Sequence, residues 1–160
     1  MQSISILLPA ALLAIAQPIE PPQEIEPPQA IVSEAEQDTA EEVELEEYYD
    51  SLELLAICVE AEAGNQGLYG KRLVADVILN RVDSDRFPDT VEGVITQKHQ
   101  FSSYTDGGMA KVTEPTEETF EAIQLELDNR TDSQILFFTA GRYNSHCTPA
   151  YKYGDHYFGY

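Results

Sequence analysis

The hydrophobic pattern is strongest over residues 54–82, where two segments of helical period flank a short glycine-containing loop. On a helical wheel with about 100° per residue, four apolar side chains of the first segment share one face: Leu54, Leu55, Cys58 and Val59. Glu62 falls in the middle of this face. A carboxylate on an apolar stripe is costly unless it is paired or protonated. The pattern therefore marks Glu62 as a candidate functional residue, with a buried ion pair to Arg81 as the structural alternative.

The same periodicity predicts an α+β fold that is mainly helical with a small β element. The first helix is predicted over about residues 51–63, because Asp50 or Ser51 can cap it and the Gly-Asn-Gln-Gly run that follows can end it. The second, over about residues 68–82, is apolar around most of its circumference, which is typical of a buried central helix. The remaining segments predict a short helix or turn over 90–97, a substrate-side loop or small hairpin over 98–109, a third helix over 115–129 and a short buried strand over 134–139.

The first 50 residues have a different character. Residues 3–16 form an apolar run too short to span a bilayer comfortably, and Ala14-Ile15-Ala16 fits a small-x-small cleavage site. Residues 1–16 therefore predict a secretory signal peptide, although no Lys or Arg precedes the apolar run, and an uncleaved apolar anchor is the alternative. Residues 17–50 are rich in Pro and Glu and predict a disordered acidic linker, of which residues 43–49 could extend the first helix backwards. Residues 51–160 are left as one folded domain.

The net negative charge of the chain argues against nucleic-acid binding. The chain carries a formal net charge of −20, and residues 1–50 hold 12 of the 29 acidic residues and none of the nine basic ones. Residues 51–160 keep 17 acidic residues against nine basic ones, so both parts are acidic. A protein that binds nucleic acid through phosphates is basic, and no nucleic-acid partner is expected.

The cysteines and histidines lack the spacing of a metal site or of a disulfide framework. Cys58 and Cys147 are the only cysteines; they could form one bridge in an oxidising compartment, or Cys58 could pack as a small hydrophobe. Four potential ligands, His99, His146, Cys147 and His156, show no C-x-x-C or H-E-x-x-H spacing. A Cys58–His156 nucleophile is disfavoured because Cys58 lies in the middle of a buried helix face. Neither a metal nor another cofactor is expected.

A set of short motifs in the right order carries a family resemblance. They are Ala61-Glu62-Ala63, Gly70, Val77–Val82 (VILNRV), Phe87-Pro88, Val91–Ile95, Gln100-Phe101-Ser102, Phe137-Phe138 and Asp155–Phe158. With these motifs, residues 54–160 resemble the SleB-like cell wall hydrolase family of spore cortex-lytic enzymes. The resemblance implies a lysozyme-like catalytic domain that cleaves peptidoglycan glycan strands between N-acetylmuramic acid and N-acetylglucosamine, in a protein that is secreted or associated with the wall.

The resemblance also implies that Glu62 is the catalytic acid. Many family members carry an Arg-Gly-Glu run directly after the Glu-Ala pair, but here the positions read Gly64-Asn65-Gln66. The second acid of that run is therefore missing. Ordinary glycosidases use two carboxylates, and Asp76, Asp83, Asp85 and Asp89 are candidates for the second by position only. Asp76 shares a polar stripe with Arg72 and Asn80 and is better explained as a surface or structural pair.

A lytic transglycosylase needs one acid/base, because the muramic acid 6-hydroxyl attacks its own anomeric carbon. The preferred prediction is therefore a lytic transglycosylase with Glu62 acting alone. The alternatives are a hydrolytic muramidase or glucosaminidase, and a non-catalytic module that binds wall glycan. The candidate substrate-binding residues offer hydrogen bonds or flat rings for sugars: Gln100, Ser102, Tyr104, Tyr143, Tyr153 and His156. A monomer without stable membrane insertion is expected.

Overall fold

The computed structural model describes residues 34–160, with side chains from Thr39 onward. The predicted signal peptide over residues 1–16 and the first part of the predicted linker, residues 17–33, lie outside the described residues. The described chain contains five α-helices and a three-stranded sheet. The helices are α1 (Glu34–Ala63), α2 (Gly67–Val82), α3 (Val91–Thr96), α4 (Ser102–Thr105) and α5 (Glu117–Asp128), and the strands are β1 (Phe137–Ala140), β2 (Pro149–Tyr153) and β3 (His156–Gly159). The prediction of a mainly helical α+β fold is confirmed.

Helix α1 starts 17 residues earlier than its predicted start at Ser51. Residues 43–49, which the sequence allowed as a backward extension of the first helix, are helical, and so are residues 34–42 and Asp50, which were expected to belong to a disordered linker. This stretch contains no Pro or Gly, and seven of its 17 residues are Glu, which has high helix propensity. Its side chains from Thr39 to Asp50 are exposed, so propensity rather than burial accounts for this part of the helix. The uniform negative charge of residues 17–50 led to the prediction of disorder, although the helix propensity of residues 34–50 is high.

The second half of α1 packs on α2 to form the main core. Helix α1 ends at Ala63, as predicted, and α2 occupies nearly its predicted range. One face of α2 contributes Val74 and Ile78 to a core shared with α1, α3 and Phe101. Another face contributes Leu73 and Val77 to a smaller cluster with Ile135 and Phe158. The prediction of a central, buried helix is therefore confirmed.

The sheet is antiparallel with strand order β1-β3-β2. Only one of its strands was predicted from the sequence, as residues 134–139, and it lies at Phe137–Ala140. Strands β2 and β3 come from the aromatic C-terminal segment. The register places Phe138 opposite Phe158 and Ala140 opposite His156. This register turns His156 into the protein interior and leaves the end of β1 next to it.

A buried polar network joins α2 to α5. Glu126 is fully buried and its carboxylate accepts hydrogen bonds from Arg72 Nε at 2.6 Å and from the backbone N–H of Thr131 at 2.6 Å. Asp76 is also fully buried and accepts one from the backbone N–H of Asp132 at 2.6 Å. Burial, together with the neighbouring Glu126 carboxylate, raises the pKa of Asp76 to about 7. The sequence left two interpretations of Asp76, a surface ion pair or a structural group. Because Asp76 is fully buried and hydrogen-bonded, it is a structural group.

Residues 98–109 contain no hairpin. They form a loop, the single turn of α4 and the start of a 3-10 turn at Met109–Lys111. Cys58 is fully buried and Cys147 is partly buried, and both are free thiols. None of the described helices combines the length and the apolar character needed to cross a bilayer.

Candidate active site

Glu62 lies in the last turn of α1 and remains partly exposed, while Cys58, Val59 and Ala63 around it are fully buried. Its Oε1 atom accepts a hydrogen bond of 2.5 Å from Ser103 Oγ on α4. Ser103 itself is only 8% exposed, so the hydroxyl is held in place by packing. The α1 segment and the segment after Phe101 thus meet at this carboxylate. The result is one accessible acid at the edge of an apolar core, oriented by a buried hydroxyl.

Three rings form a row beside this acid. The Phe101 and Phe138 ring centroids are 6.0 Å apart, and the Phe138 and His156 centroids are 5.1 Å apart. His156 is 6% exposed. Its burial lowers the pKa of the imidazole, while the negative charges of Glu62 and Asp155 oppose that shift. His156 therefore lies within electrostatic reach of Glu62, but it is a buried member of the sheet and not an open sugar-binding surface.

Arg81 does not pair with Glu62. It is 3% exposed, and its Nε donates to the carbonyl oxygen of Leu136 at 2.7 Å. The guanidinium carbon lies 5.0 to 5.6 Å from the ring centroids of Phe87, Phe101 and Phe137. Cation–π contacts of this kind stabilise a buried guanidinium. The alternative of a structural Glu62–Arg81 ion pair is therefore excluded, and Glu62 is left free for chemistry.

The loop after α1 is tied to the β2–β3 turn by two hydrogen bonds. Gln66 Nε2 donates to Asp155 Oδ2 at 3.0 Å, and the Asp155 backbone N–H donates to Gln66 Oε1 at 3.1 Å. A Cβ atom at Gly154 would lie 1.9 Å from Gln66 Oε1, and its φ is 53°, so only glycine fits there. This contact holds the exposed carboxylate of Asp155 on the same side of the domain as Glu62 and His156. Asp155 was recognised only as part of a motif, and the 89 residues that separate it from Gln66 hid its position.

Three of the predicted substrate-binding residues line two clefts, and the tyrosines Tyr104 and Tyr153 lie outside both. Gln100 and Ser102 line a cleft of about 510 Å³ in the loop before α4, while the exposed Tyr104 follows on α4. Tyr143 lines a second cleft, of about 610 Å³, at the end of β1. The Tyr153 ring stands edge-to-face against Tyr69 at 4.9 Å between centroids. The residue that contacts Glu62, Ser103, was missed, because the sequence offers two adjacent serines and no means of choosing between them.

Two of the aspartates considered as a second acid are committed elsewhere. Asp76 is buried in the α2–α5 network, and Asp83 pairs with Arg130 at 3.0 Å. Within residues 34–160, no group of three His, Cys, Asp or Glu side chains is arranged to hold a metal ion. The described carboxylates that act on His156 are those of Glu62 and Asp155.

The comparisons with known proteins identify the family of the chain. A family model described as Cell Wall Hydrolase matches residues 65–159, beginning three residues after Glu62. The chain therefore belongs to the cell wall hydrolase family. Among curated relatives, the spore cortex-lytic enzyme of Oceanobacillus iheyensis is 39% identical over 74 residues, which cover 46% of this chain and 26% of that protein. The spore cortex-lytic enzyme of Bacillus subtilis is 36% identical over 74 residues, 46% of this chain and 24% of that protein. The chain thus matches only about a quarter of the length of these relatives.

Solved structures extend the similarity to more than nine tenths of the catalytic domains of two relatives. The catalytic domain of the Bacillus cereus SleB protein matches with a TM-score of 0.62 and 28% identity, covering 70% of this chain and 91% of that one. The catalytic domain of the germination-specific lytic transglycosylase SleB from Bacillus anthracis matches with a TM-score of 0.60 and 27% identity, covering 69% of this chain and 93% of that one.

Proposed function

We propose that this protein cleaves the glycan strands of peptidoglycan with Glu62 as its catalytic acid/base. The observation that carries the proposal is the position of Glu62: an accessible carboxylate on an otherwise apolar helix face, oriented by the buried Ser103. An acid of this kind can deliver a proton to a glycosidic oxygen. Membership of the cell wall hydrolase family supports the substrate class. We further propose that the protein acts as a secreted or wall-associated monomer.

The preferred reaction is lytic transglycosylation. Glu62 gives its proton to the oxygen that bridges N-acetylmuramic acid and N-acetylglucosamine, and the bond from that oxygen to the anomeric carbon breaks. The 6-hydroxyl of the muramic acid then attacks the anomeric carbon, and the Glu62 carboxylate takes the hydroxyl proton. The step regenerates Glu62 and leaves a 1,6-anhydro end without consuming water. The reaction needs only one acid/base, which Glu62 can supply, and its support is that the similar B. anthracis protein is a germination-specific lytic transglycosylase.

Hydrolysis is the second candidate, and the position of Asp155 favours it. Asp155 is exposed, is held by Gln66, and shares the neighbourhood of His156 with Glu62. It could accept a proton from an attacking water while Glu62 protonates the leaving oxygen, as in glycosidases that use two carboxylates. The product would then carry an ordinary reducing end.

Mass spectrometry of the released fragments separates the two reactions. Transglycosylation yields ends that lack the elements of water and resist borohydride, whereas hydrolysis yields ends that borohydride reduces. We expect anhydro ends from the wild type and also from the Asp155→Asn variant. Reducible ends from the wild type, together with a loss of cleavage in Asp155→Asn, would replace the single-acid mechanism by the two-carboxylate one.

Replacing Ser103 by Ala is expected to lower kcat roughly 10- to 100-fold, because its hydroxyl orients the Glu62 carboxylate and a misplaced catalytic group can cost on the order of 10²-fold in rate. The effect on KM should be small, since Ser103 is buried and contacts Glu62. Ser133→Ala is the matched control: Ser133 is exposed, lies outside both clefts that contain predicted substrate-binding residues, and makes no hydrogen bond to Glu62. Its kcat should stay within about twofold of wild type. Equal kcat values for the two variants would remove Ser103 from the catalytic arrangement.

A further inference from the structure

The charge of the domain creates a problem for the proposed substrate. The stem peptides of peptidoglycan carry free carboxylates, while residues 51–160 hold 17 acidic and nine basic residues. Long-range electrostatics therefore oppose the approach of the substrate. A protein of this charge can hold an anionic glycan only where local cations are free of other partners. The nine basic residues, all within the described part of the chain, identify those places.

Six of the nine basic side chains are already engaged. Three are in ion pairs with carboxylates: Lys71, Arg72 and Arg130. Three lie over aromatic rings: Arg81, Arg86 and Lys152. The ion pairs and the buried position of Arg81 commit four of these charges to the fold. The exposed Arg86 and Lys152 lie against aromatic rings and line neither of the two clefts that contain predicted substrate-binding residues.

Three basic residues have neither an ion pair nor an aromatic ring contact among the described residues, and two of them line the clefts that contain predicted substrate-binding residues. Lys98, Lys111 and Arg142 are exposed and have no carboxylate within ion-pair distance. Lys98 lines the cleft that also contains Gln100 and Ser102. Arg142 lines the cleft that also contains Tyr143. Lys111 lines neither cleft.

Both clefts are connected to Glu62 by short chains of contacts. The Lys98 cleft includes Ser102, and the next residue, Ser103, donates its hydrogen bond to Glu62. The Arg142 cleft includes Ala140, which pairs directly with His156 across the sheet. Each cleft therefore combines a free cation with polar or aromatic side chains, and each is linked to Glu62 through one or two intervening residues.

We propose that Lys98 and Arg142 bind carboxylates of the substrate, namely those of the stem peptides carried by muramic acid residues near the bond to be cleaved. The guanidinium of Arg142 offers a planar fork that matches a carboxylate, and Lys98 supplies a point charge in the other cleft. These two residues make the site selective for a peptide-bearing, anionic glycan over a neutral polymer of N-acetylglucosamine. This inference rests on the proposed function and adds to it the feature of the substrate that is recognised.

The test uses insoluble peptidoglycan in two forms, one native and one with its carboxyl groups converted to methylamides. Lys98→Gln and Arg142→Gln are each expected to raise KM on native substrate about fivefold, the effect of one ion pair of about 1 kcal/mol, and the double variant about 25-fold if the sites are independent. The value of kcat should stay within about twofold. Lys111→Gln, which removes the same charge outside the clefts, should behave as wild type. On the amidated substrate all four variants should have the KM of the wild type.

Sedimentation of the same variants with insoluble peptidoglycan, in the Glu62→Gln background, tests binding without relying on catalysis. Weaker sedimentation of the Lys98 and Arg142 variants with native but not amidated material is the expected result. The inference is overturned if Lys111→Gln weakens binding as much as the cleft variants, or if their losses persist on amidated substrate. Failure of the proposed function has a different signature, because the wild type would then cleave neither substrate, whatever the variants bind.

Discussion

Replacing Glu62 by Gln lowers the rate of glycan cleavage by about 10²–10⁴-fold, the usual contribution of a general acid/base. The amide keeps the shape of the side chain, and its oxygen can still accept the hydrogen bond from Ser103 Oγ. It cannot donate a proton to the glycosidic oxygen and recover it afterwards. The measurement is the loss of turbidity of a peptidoglycan suspension, together with mass spectrometry of the fragments released.

Glu53→Gln is the matched control for this experiment. Glu53 lies on the same helix, is exposed, and points away from the apolar face, so the variant should clear the suspension at the wild-type rate. Circular dichroism of both variants should show unchanged helix content, since neither residue belongs to the buried core. If Glu62→Gln clears peptidoglycan as fast as Glu53→Gln, Glu62 is not the acid.

The largest loss of stability is expected from Glu126→Ala, at about 3 kcal/mol. Removing one partner of a buried ion pair costs about 3–5 kcal/mol, and the lower end applies because the partner Arg72 is 23% exposed and can turn toward water. The variant also leaves the backbone N–H and the hydroxyl of Thr131 without their acceptor. The free energy of unfolding is measured from urea denaturation curves.

Glu121→Ala provides the control on the same helix. Glu121 is exposed on α5, and a surface substitution of this kind changes stability by no more than about 0.5 kcal/mol. A loss at Glu126 no larger than the loss at Glu121 would show that the network between α2 and α5 adds nothing to the stability of the domain. The network lies away from the described contacts of Glu62, so the folded Glu126→Ala protein should retain its activity at temperatures well below its Tm.

The elements predicted best were those in which local periodicity and burial agree. The end of α1, the extent of α2 and the position of α5 all follow from apolar spacing and from end signals that act within a few residues. The start of α1 was misplaced because charge and helix propensity pointed in opposite directions over residues 34–50. Strands β2 and β3 were missed because their stability comes from pairing with segments far away in the chain, and the aromatic pattern of the C-terminus does not reveal the register.

The candidate site contains residues that the sequence could select and residues that only the packing of distant segments brings together. Glu62 could be selected from the sequence because a helical wheel needs only neighbours along one helix. The choice of Ser103 over Ser102 depends on how the single turn of α4 is oriented against α1. Asp155 reaches the site only through Gln66, and Arg142 only through the end of β1. Ser103 and Asp155 carry no local signal, since their partners Glu62 and Gln66 are 41 and 89 positions away.

The sequence by itself determined the helical frame and the acid on its apolar face. The hydrophobic period establishes which side of each helix is buried, and a charged residue on that side is conspicuous without any knowledge of the fold. Only the tertiary structure determined which side chains contact Glu62. It excluded the Arg81 ion pair, supplied the Ser103 hydroxyl, and placed two free cations in clefts with predicted substrate-binding residues. The physical reason is that burial follows from local periodicity, whereas partnership depends on how distant elements pack.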